Sequence, residues 1–547
     1  MKRYIDHLRP EGVFDVIVIG GGISGAALAY EAASRGLRVV LFEKGDFSEA
    51  TSAASSKLIH GGLRYLSNME YGLVRESLRE RRTMENIAPN FVYPRQMMLP
   101  HYRHPRRQGK WVMKTGMVLY DLLSWDRNRT WDPSKRIPLH RSLPPEEALH
   151  RQPVLTAEGL TGASLFHDCL SVCPERLALA FIKSAVRHGA RVANYAPVEG
   201  FRFGPGNGRI EGVMVRDLLT GTRHAVAGRM VVNCAGPWAD RVLGLARKNG
   251  SGASLRRSEG IHIITPRISD GSTIITAMTP DERHCFLIPW RGHTLIGTTD
   301  TLYTGSPDDY RVTRGRILEL IDTVNATFAP LSLRFADVLY AYGGLRPLVE
   351  SPDVETYRAS RRHEIYDNEK DGLEGLLTVE GGKWTTSRHL ADRVVTLSAR
   401  KTGMAANRSI SASQYLYGSE IPHLPAFLKT LQQKETGFSR RTLDTLGRLY
   451  GTECHRVLDL ARSDSGLAES LEPDGEIMAQ VLYAVRYEMA MSLGDIVLRR
   501  TGIATLGDPG RRLLGRVAGI AATELGWDDA RIDLEIEQTR QALRLPE

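Results

Sequence analysis

Residues 14–44 read FDVIVIGGGISGAALAYEAASRGLRVVLFEK. The apolar run Val16 to Ile19 enters Gly20-x-Gly22-x-x-Gly25, an alanine-rich segment follows to Arg35, and Gly36 sits where a helix C-cap is expected. Leu37 to Phe42 is a second apolar run, closed by Glu43. The pattern is strand, glycine turn, helix, strand. Gly20 permits the tight turn, Gly22 lets the backbone approach a pyrophosphate, and Gly25 lets the helix pack close to the strand. Ile23 and Ser24 stand at the helix N-terminus, where free N–H groups and a partial positive charge favour phosphate. Glu43 and Lys44 follow the second strand. A carboxylate there accepts hydrogen bonds from ribose hydroxyls and disfavours a 2′-phosphate. The motif binds a dinucleotide and does not by itself separate a flavin from a nicotinamide.

The chain of 547 residues is too long for one ordinary domain. Its formal net charge of +9 points to an anionic substrate, an anionic membrane surface or nucleic acid. No apolar stretch approaches the roughly 20 residues of a bilayer span, and Met1 to Glu11 lacks the apolar core of a secretion signal. Five cysteines at scattered spacing fit reduced thiols. Cys169 and Cys173 form the single close pair, with no second pair to complete a metal site, so no metal is expected.

Past the dinucleotide unit, Gly45 to Leu66 reads GDFSEATSAASSKLIHGGLRYL. Small and hydroxyl residues suit a segment lying against a ligand, with Ser55 and Ser56 able to donate to phosphate oxygens. Lys57, His60, Arg64 and Tyr65 flank Gly61-Gly62 and should face the cofactor's reactive end, because ligands of α/β sheets sit at the carboxyl ends of strands. Tyr71 to Ile87 reads as a helix with many charges on one face, and Arg191 to Val198 as one strand. His101 to Trp125 passes from a basic part to an apolar, aromatic part. It reads either as a membrane-interface segment or as a core helix behind a solvated basic loop. In the first reading Arg103, Arg106, Arg107 and Lys110 meet lipid charge while Trp111 and Met117 insert. Thr220-Gly221 and Arg291-Gly292 join hairpins. Two further apolar strands end in small-residue turns, one at Ala235-Gly236 and one at Gly381-Gly382, with a helix after the second. From about residue 405 the chain becomes helical after a polar linker.

The motifs VIGGGISGAALA, ATSAASSKLIHGGLRYL, NCAGPWA, IPWRGHTLIGTTD, GGLRPL and GGKWTT, with EMAMSLGDIVLRRTGIA near the carboxyl end, resemble the FAD-dependent sn-glycerol-3-phosphate dehydrogenases of the aerobic respiratory type. The resemblance implies an α/β fold: a doubly wound FAD-binding domain, an inserted antiparallel-sheet substrate domain and a helical carboxy-terminal domain. It places the oxidoreductase region at 1–404, with FAD-binding parts at about 1–95, 160–240 and 341–404, substrate parts at about 96–159 and 241–340, and the helical domain at 405–547. It implies non-covalent FAD, oxidation of glycerol 3-phosphate to dihydroxyacetone phosphate and electron transfer to a membrane quinone. His60, Arg64, His262, Arg346 and Lys383 match its active-site positions, with Arg64, Tyr65, His262 and Arg346 on substrate. Either histidine can serve as the base. Cofactor contacts are expected from Gly20, Gly22, Ile23, Ser24, Gly25, Glu43, Lys44, Ser55, Ser56, Gly61, Gly62, Ala235, Gly236, Gly382, Lys383 and Thr385. Trp384, where the family usually has leucine, and RSEGI before His262 depart from its pattern. The resemblance assigns the positive balance to substrate and to the inner face of the cytoplasmic membrane rather than to nucleic acid, and leaves room for a homodimer. Two alternatives stay open: an oxidase of the same fold acting on glycerophosphate or an amino acid with oxygen, and a flavin-binding regulator or RNA-modification protein without this turnover.

Overall fold

The computed structural model describes residues 1–7, 12–103, 110–206, 208–247, 255–348, 363–471 and 475–547, and at 110–112 the backbone alone. The opening stretch folds as strand, turn, helix and strand. β1 (Phe14–Ile19) ends at Gly20, α1 (Ile23–Ser34) starts behind Gly22, and β2 (Val39–Phe42) pairs parallel with β1 from Val16↔Val39 to Ile19↔Phe42. Gly20 has φ +102°, and a Cβ there would stand 2.6 Å from the Cys234 carbonyl oxygen, so only glycine fits. Both strands are buried on both faces, hence their continuous apolar runs.

The chain continues through α2 (Tyr71–Ile87), β3 (Val92–Tyr102), α3 (Lys110–Leu123), β4 (Leu160–Ser171), α4 (Pro174–Arg187), β5 (Arg191–Ala193), β6 (Ile210–Arg216) and β7 (Arg223–Asn233). It then forms β8 (Arg256–Thr265), β9 (Ile274–Met278), β10 (His284–Trp290), β11 (His293–Gly297), α5 (Arg314–Thr327), β12 (Tyr340–Leu348), β13 (His363–Asp367), β14 (Leu376–Gly381) and α6 (Ser387–Thr402). One sheet runs β13-β14-β7-β1-β2-β5, parallel except for the antiparallel edge strand β13. Val16 and Val18 pack with α1, α4 and α6, while Ile17 and Ile19 face the side covered by β6. This is the doubly wound arrangement. The second sheet contains β8-β11-β10-β9-β3-β4, with β12 paired antiparallel to β8. Its outer face packs on α5, and its inner face turns toward the segment 58–66.

The carboxy-terminal region is a helical unit with its own core. It comprises α7 (Leu424–Lys434), α8 (Arg440–Tyr450), α9 (Cys454–Ser463), α10 (Ala479–Glu488), a π-helical turn (Asp495–Arg500), α11 (Arg511–Leu525) and α12 (Asp529–Leu543).

Two expectations change, for Arg191 to Val198 and for Met117. Arg191 to Val198 is not one strand: β5 stops at Ala193, the chain turns through Tyr195 at φ +52°, and Val198–Phe203 pairs with β6. The break frees the Asn194 and Tyr195 side chains to bond carboxy-terminal residues. Within α2, Arg81 is buried against Asp168 at 2.7 Å and Glu80 holds Arg388 through two bonds of 2.7 and 2.8 Å. Met117 does not face outward. It is 1% exposed, packed with Leu78 and Phe166, because α3 turns one apolar side into the core. Its other side presents Val118 and Leu122 at 44 and 64% exposure, and Trp125, in the turn just after the helix, is 60% exposed. Arg106 and Arg107, and the side chains of Lys110 and Trp111, lie outside the described residues. All five cysteines are buried free thiols.

Candidate cofactor and substrate site

A groove of about 850 Å³ lies at the carboxyl ends of β1, β2, β7 and β14. That position and size suit a ligand site of an open α/β sheet. Gly20, Gly22, Ile23 and Ser24 form its floor, Glu43 and Lys44 one wall, and Ala235 and Gly236 the opposite wall. Gly382, Lys383 and Trp384 close the far end. The Glu43 carboxylate accepts the backbone N–H of Gly21 at 2.6 Å and of Gly45 at 2.9 Å. Burial pushes its carboxyl upward, against the pull of those two backbone donors. A side chain at Gly25 would overlap the Gly20 carbonyl, so the helix start must stay bare. This cradle fits a dinucleotide pyrophosphate. The Lys383 ammonium, buried with no hydrogen-bond partner among the described residues, fits the electron-rich end of a flavin.

Around that end stand the other predicted side chains. Lys383 Nζ lies 4.6 Å from the Tyr65 ring centre and the Arg64 guanidinium 4.8 Å from it, so the phenol is held between two cations. Gly62 has φ +77°, and a Cβ there would meet Tyr65 and stand 3.2 Å from Lys383 Nζ. Gly61 donates to Asp168 at 3.1 Å. His60 is clasped through its backbone by the Thr385 hydroxyl, which accepts its N–H at 3.2 Å and donates to its carbonyl at 3.3 Å. Burial, reinforced by the Lys383 charge, pulls the His60 imidazole down to about 4.

His262 stands on the inner face of β8. Its Nε2 is 2.8 Å from the Ser56 hydroxyl, its Nδ1 is buried with no hydrogen-bond partner among the described residues, and its ring stacks on Tyr342 at 5.1 Å. Burial, then the Arg346 and Lys57 charges, hold it well below the ordinary histidine value. It is therefore neutral near pH 7 and can accept a proton. Arg346 donates to the Thr298 hydroxyl at 2.8 Å and to the Thr299 carbonyl at 3.1 Å. Its guanidinium lies against Gly260, where any side chain would overlap it. His262, Gly297 and Phe286 are neighbours in register across β8, β11 and β10. His284, two residues along β10 from Phe286, is drawn down to about 4 by burial and by the Arg64 charge. The Arg64 group and the His262 group thus share one face of the second sheet.

Of the expected cofactor residues, Gly25, Ser55, Ser56, Gly61, Gly62 and Thr385 are not among those that line the groove; Ser55 accepts the Lys57 N–H at 3.2 Å, and Ser56 meets His262. Ser52 takes the place by the glycine turn, accepting the Ile23 N–H at 2.9 Å. Trp384 has a local role, donating its indole N–H to the Ser52 carbonyl at 3.0 Å. Sequence reading also missed Asp308. It accepts from Lys44 at 2.8 Å and from the Trp238 indole at 2.7 Å, and so bridges the groove's outer lip. No motif surrounds it. The Thr298-Thr299 pair, by contrast, was legible as part of IGTTD without its task being evident.

Residues 15–388 match the family model described as FAD dependent oxidoreductase, and residues 409–532 match the one described as the C-terminal domain of alpha-glycerophosphate oxidase. The chain is 35% identical over 538 residues to a glycerol-3-phosphate dehydrogenase of Synechocystis, covering 96% of this chain and 95% of the relative. It is also 35% identical over 491 residues to a D-erythritol 1-phosphate dehydrogenase of Brucella abortus, covering 89% of this chain and 94% of that one. Among solved structures, a glycerol-3-phosphate dehydrogenase from Bacillus halodurans complexed with FAD superposes with TM-score 0.77 at 27% identity. The match covers 97% of this chain and 95% of the other.

Proposed function

We propose, from the premise that the chain belongs to the FAD dependent oxidoreductase family and binds FAD, that it oxidises glycerol 3-phosphate to dihydroxyacetone phosphate. The electrons then pass to a quinone in the membrane. The observation that carries the reading is a set of cations at and beside the groove: Arg346 and Lys383 line it, Arg64 and Lys383 both lie against the Tyr65 ring, and the Lys383 charge acts on His60 as the Arg346 charge acts on His262. A phosphate dianion needs planar donors, and the two arginines present guanidinium forks. The secondary alcohol needs a base for its hydroxyl proton. His262 offers a buried Nδ1 with no hydrogen-bond partner among the described residues, and His60 is the second candidate. Bound FAD supplies the two-electron acceptor for the hydride at C2. Lys383 supports the negative charge that this transfer brings to the flavin end.

D-erythritol 1-phosphate is the second substrate to weigh, because the chain is equally identical to a dehydrogenase of that name. The test is anaerobic addition of either phosphate to the FAD-loaded enzyme, followed at the oxidised flavin band. Rapid bleaching by glycerol 3-phosphate and slow bleaching by the erythritol ester supports the reading; the reverse order exchanges the substrates. Re-oxidation by a long-chain quinone, with little peroxide formed in air, separates the dehydrogenase from an oxidase. For the membrane, no helix among the described residues is long and apolar enough to cross a bilayer. The outward residues Val118 and Leu122 of α3 and Trp125 just after it, with Lys114 and Arg129 nearby, favour peripheral attachment through a shallow apolar face with basic flanks.

A further inference from the structure

The motif EMAMSLGDIVLRR, residues 488–500, lies far from the groove in sequence and takes no part in the chemistry above. Its side chains end on the two loops that hold Glu43. Asp46 is fully buried three residues beyond Glu43, and its carboxylate receives four donors. Arg500 gives two, at 2.7 and 2.8 Å, Arg499 one at 2.7 Å, and Asn194 one at 3.2 Å. Asn194 also donates to the Met489 carbonyl at 2.9 Å. The Tyr195 hydroxyl donates to Asp495 at 2.7 Å, and Arg499 donates to the same carboxylate at 2.6 Å.

Residues 43–46 and 193–196 are tied to one another across Glu43. The Glu43 N–H donates to the Ala193 carbonyl at 2.9 Å, the Ala196 N–H to the Glu43 carbonyl at 2.7 Å, and the Tyr195 N–H to the Gly45 carbonyl at 2.8 Å. The Asp46 N–H in turn donates to Glu49, which lines the groove with Ser48 and Thr51. Arg499 and Arg500 are adjacent, so on a regular α-helix they would point apart. They stand instead at the end of the π-helical turn, whose wider winding brings successive side chains closer in direction. Both reach one carboxylate as a result.

We infer that residues 488–500 of the helical domain are part of the FAD-holding machinery: Arg499 and Arg500, acting through Asp46, with Asp495 acting through Tyr195, are positioning residues that fix Glu43 and the groove wall. Domain docking and FAD binding are then coupled, and the coupling is reciprocal. A buried carboxylate stripped of a fork would be left with unmatched charge, so the loop would move rather than tolerate the loss. The inference rests on FAD binding and is independent of the substrate.

The experiment compares Arg500→Lys and Asp46→Asn with Arg291→Lys. Arg291 also crosses the domain boundary, pairing with Glu476 and donating to the Thr505 hydroxyl at 2.5 Å, and these partners lie outside both loops and outside 488–500. Apoprotein is titrated with FAD, flavin release is followed after dilution, and thermal midpoints are taken for apo and holo forms. Arg500→Lys and Asp46→Asn should raise the FAD Kd about tenfold and speed release, lowering the holo midpoint more than the apo midpoint. Arg291→Lys should lower both midpoints alike and leave the Kd within twofold. In the unaltered protein, FAD should slow amide exchange across 488–501. If the Kd of both loop variants stays within twofold while apo and holo midpoints fall equally, the contacts are structural only and the inference is wrong. Should Asp46→Asn fail to fold, Arg500→Lys, which keeps the charge, decides alone.

Discussion

Arg346→Lys tests how the phosphate is recognised. The guanidinium is fixed by the Thr298 hydroxyl and the Thr299 carbonyl, rests on Gly260 and has the Asp300 carboxylate 3.8 Å away, so it is held in one orientation. Lysine keeps the charge but has one donor centre, which cannot hold both anchors and also face a phosphate with two parallel donors. The change removes about one charge-assisted hydrogen bond, worth roughly 1.5–3 kcal/mol. This corresponds to a loss of roughly 10- to 150-fold in kcat/KM. The assay is anaerobic stopped-flow bleaching of the flavin over a range of glycerol 3-phosphate concentrations, repeated with glycerol. The loss should fall on the phosphorylated substrate alone, with FAD content unchanged. Thr298→Val, which removes one anchor and leaves the arginine, should cost about fivefold, the worth of roughly 1 kcal/mol. An equal loss for glycerol and its phosphate would refute the reasoning and move Arg346 to the reacting carbon.

Glu43→Gln should raise the FAD Kd by roughly 10- to 100-fold, because the amide offers a donor where Gly21 and Gly45 both donate; full flavin retention on dilution would contradict the adenosine assignment. Ser56→Ala should retain FAD and lower kcat several-fold, since its hydroxyl orients His262 and does not reach the groove; flavin loss in that variant would return Ser56 to the cofactor. Asp46 and Glu488 are each held down to about 2 by arginine partners working against burial. Their contribution is therefore present above the unfolded value of about 4 and is lost as pH falls toward 2, and circular dichroism should show domain uncoupling and flavin release in that window. Replacing Leu122 and Trp125 by Gln should weaken binding to anionic vesicles in high salt and slow reduction of a long-chain quinone, with dye reduction unchanged; intact vesicle binding would place the membrane surface elsewhere.

What could be read in the chain divides along a physical line. The dinucleotide unit was legible because its demands are local. Gly20, Gly25 and Glu43 lie within 24 residues, and each is dictated by a turn, a close approach or a strand end. Residues whose task depends on a neighbour from another element were legible in kind and not in address. Ser52, Ser55 and Ser56 are alike in sequence, and only the path of the chain after Phe47 assigns the first to the glycine turn and the last to His262. The helical period of α3 was readable while its orientation was not: Met117 and Val118 are adjacent, and the packing of Leu78 and Phe166 decides which of the two is covered.

The bond between Arg499 and Asp46 spans 453 residues and belongs to no period at all. Its signature in the sequence is indirect. Two adjacent arginines and two acids sit in an otherwise apolar helical run, a pattern that costs stability in a core unless every charge is matched. Each charge is matched here: Glu488 by Arg176 of α4, and the two arginines by Asp46, on a loop whose shape matters to FAD rather than to the helical domain. An apolar replacement of the whole set could keep the two domains packed. It could not orient Asp46, and through it Glu43, with the same directional precision, because burial of apolar area has no preferred angle whereas four donors on one carboxylate do. The retention of charges at this buried seam is therefore explained by the cofactor groove it shapes and not by the stability of the seam itself.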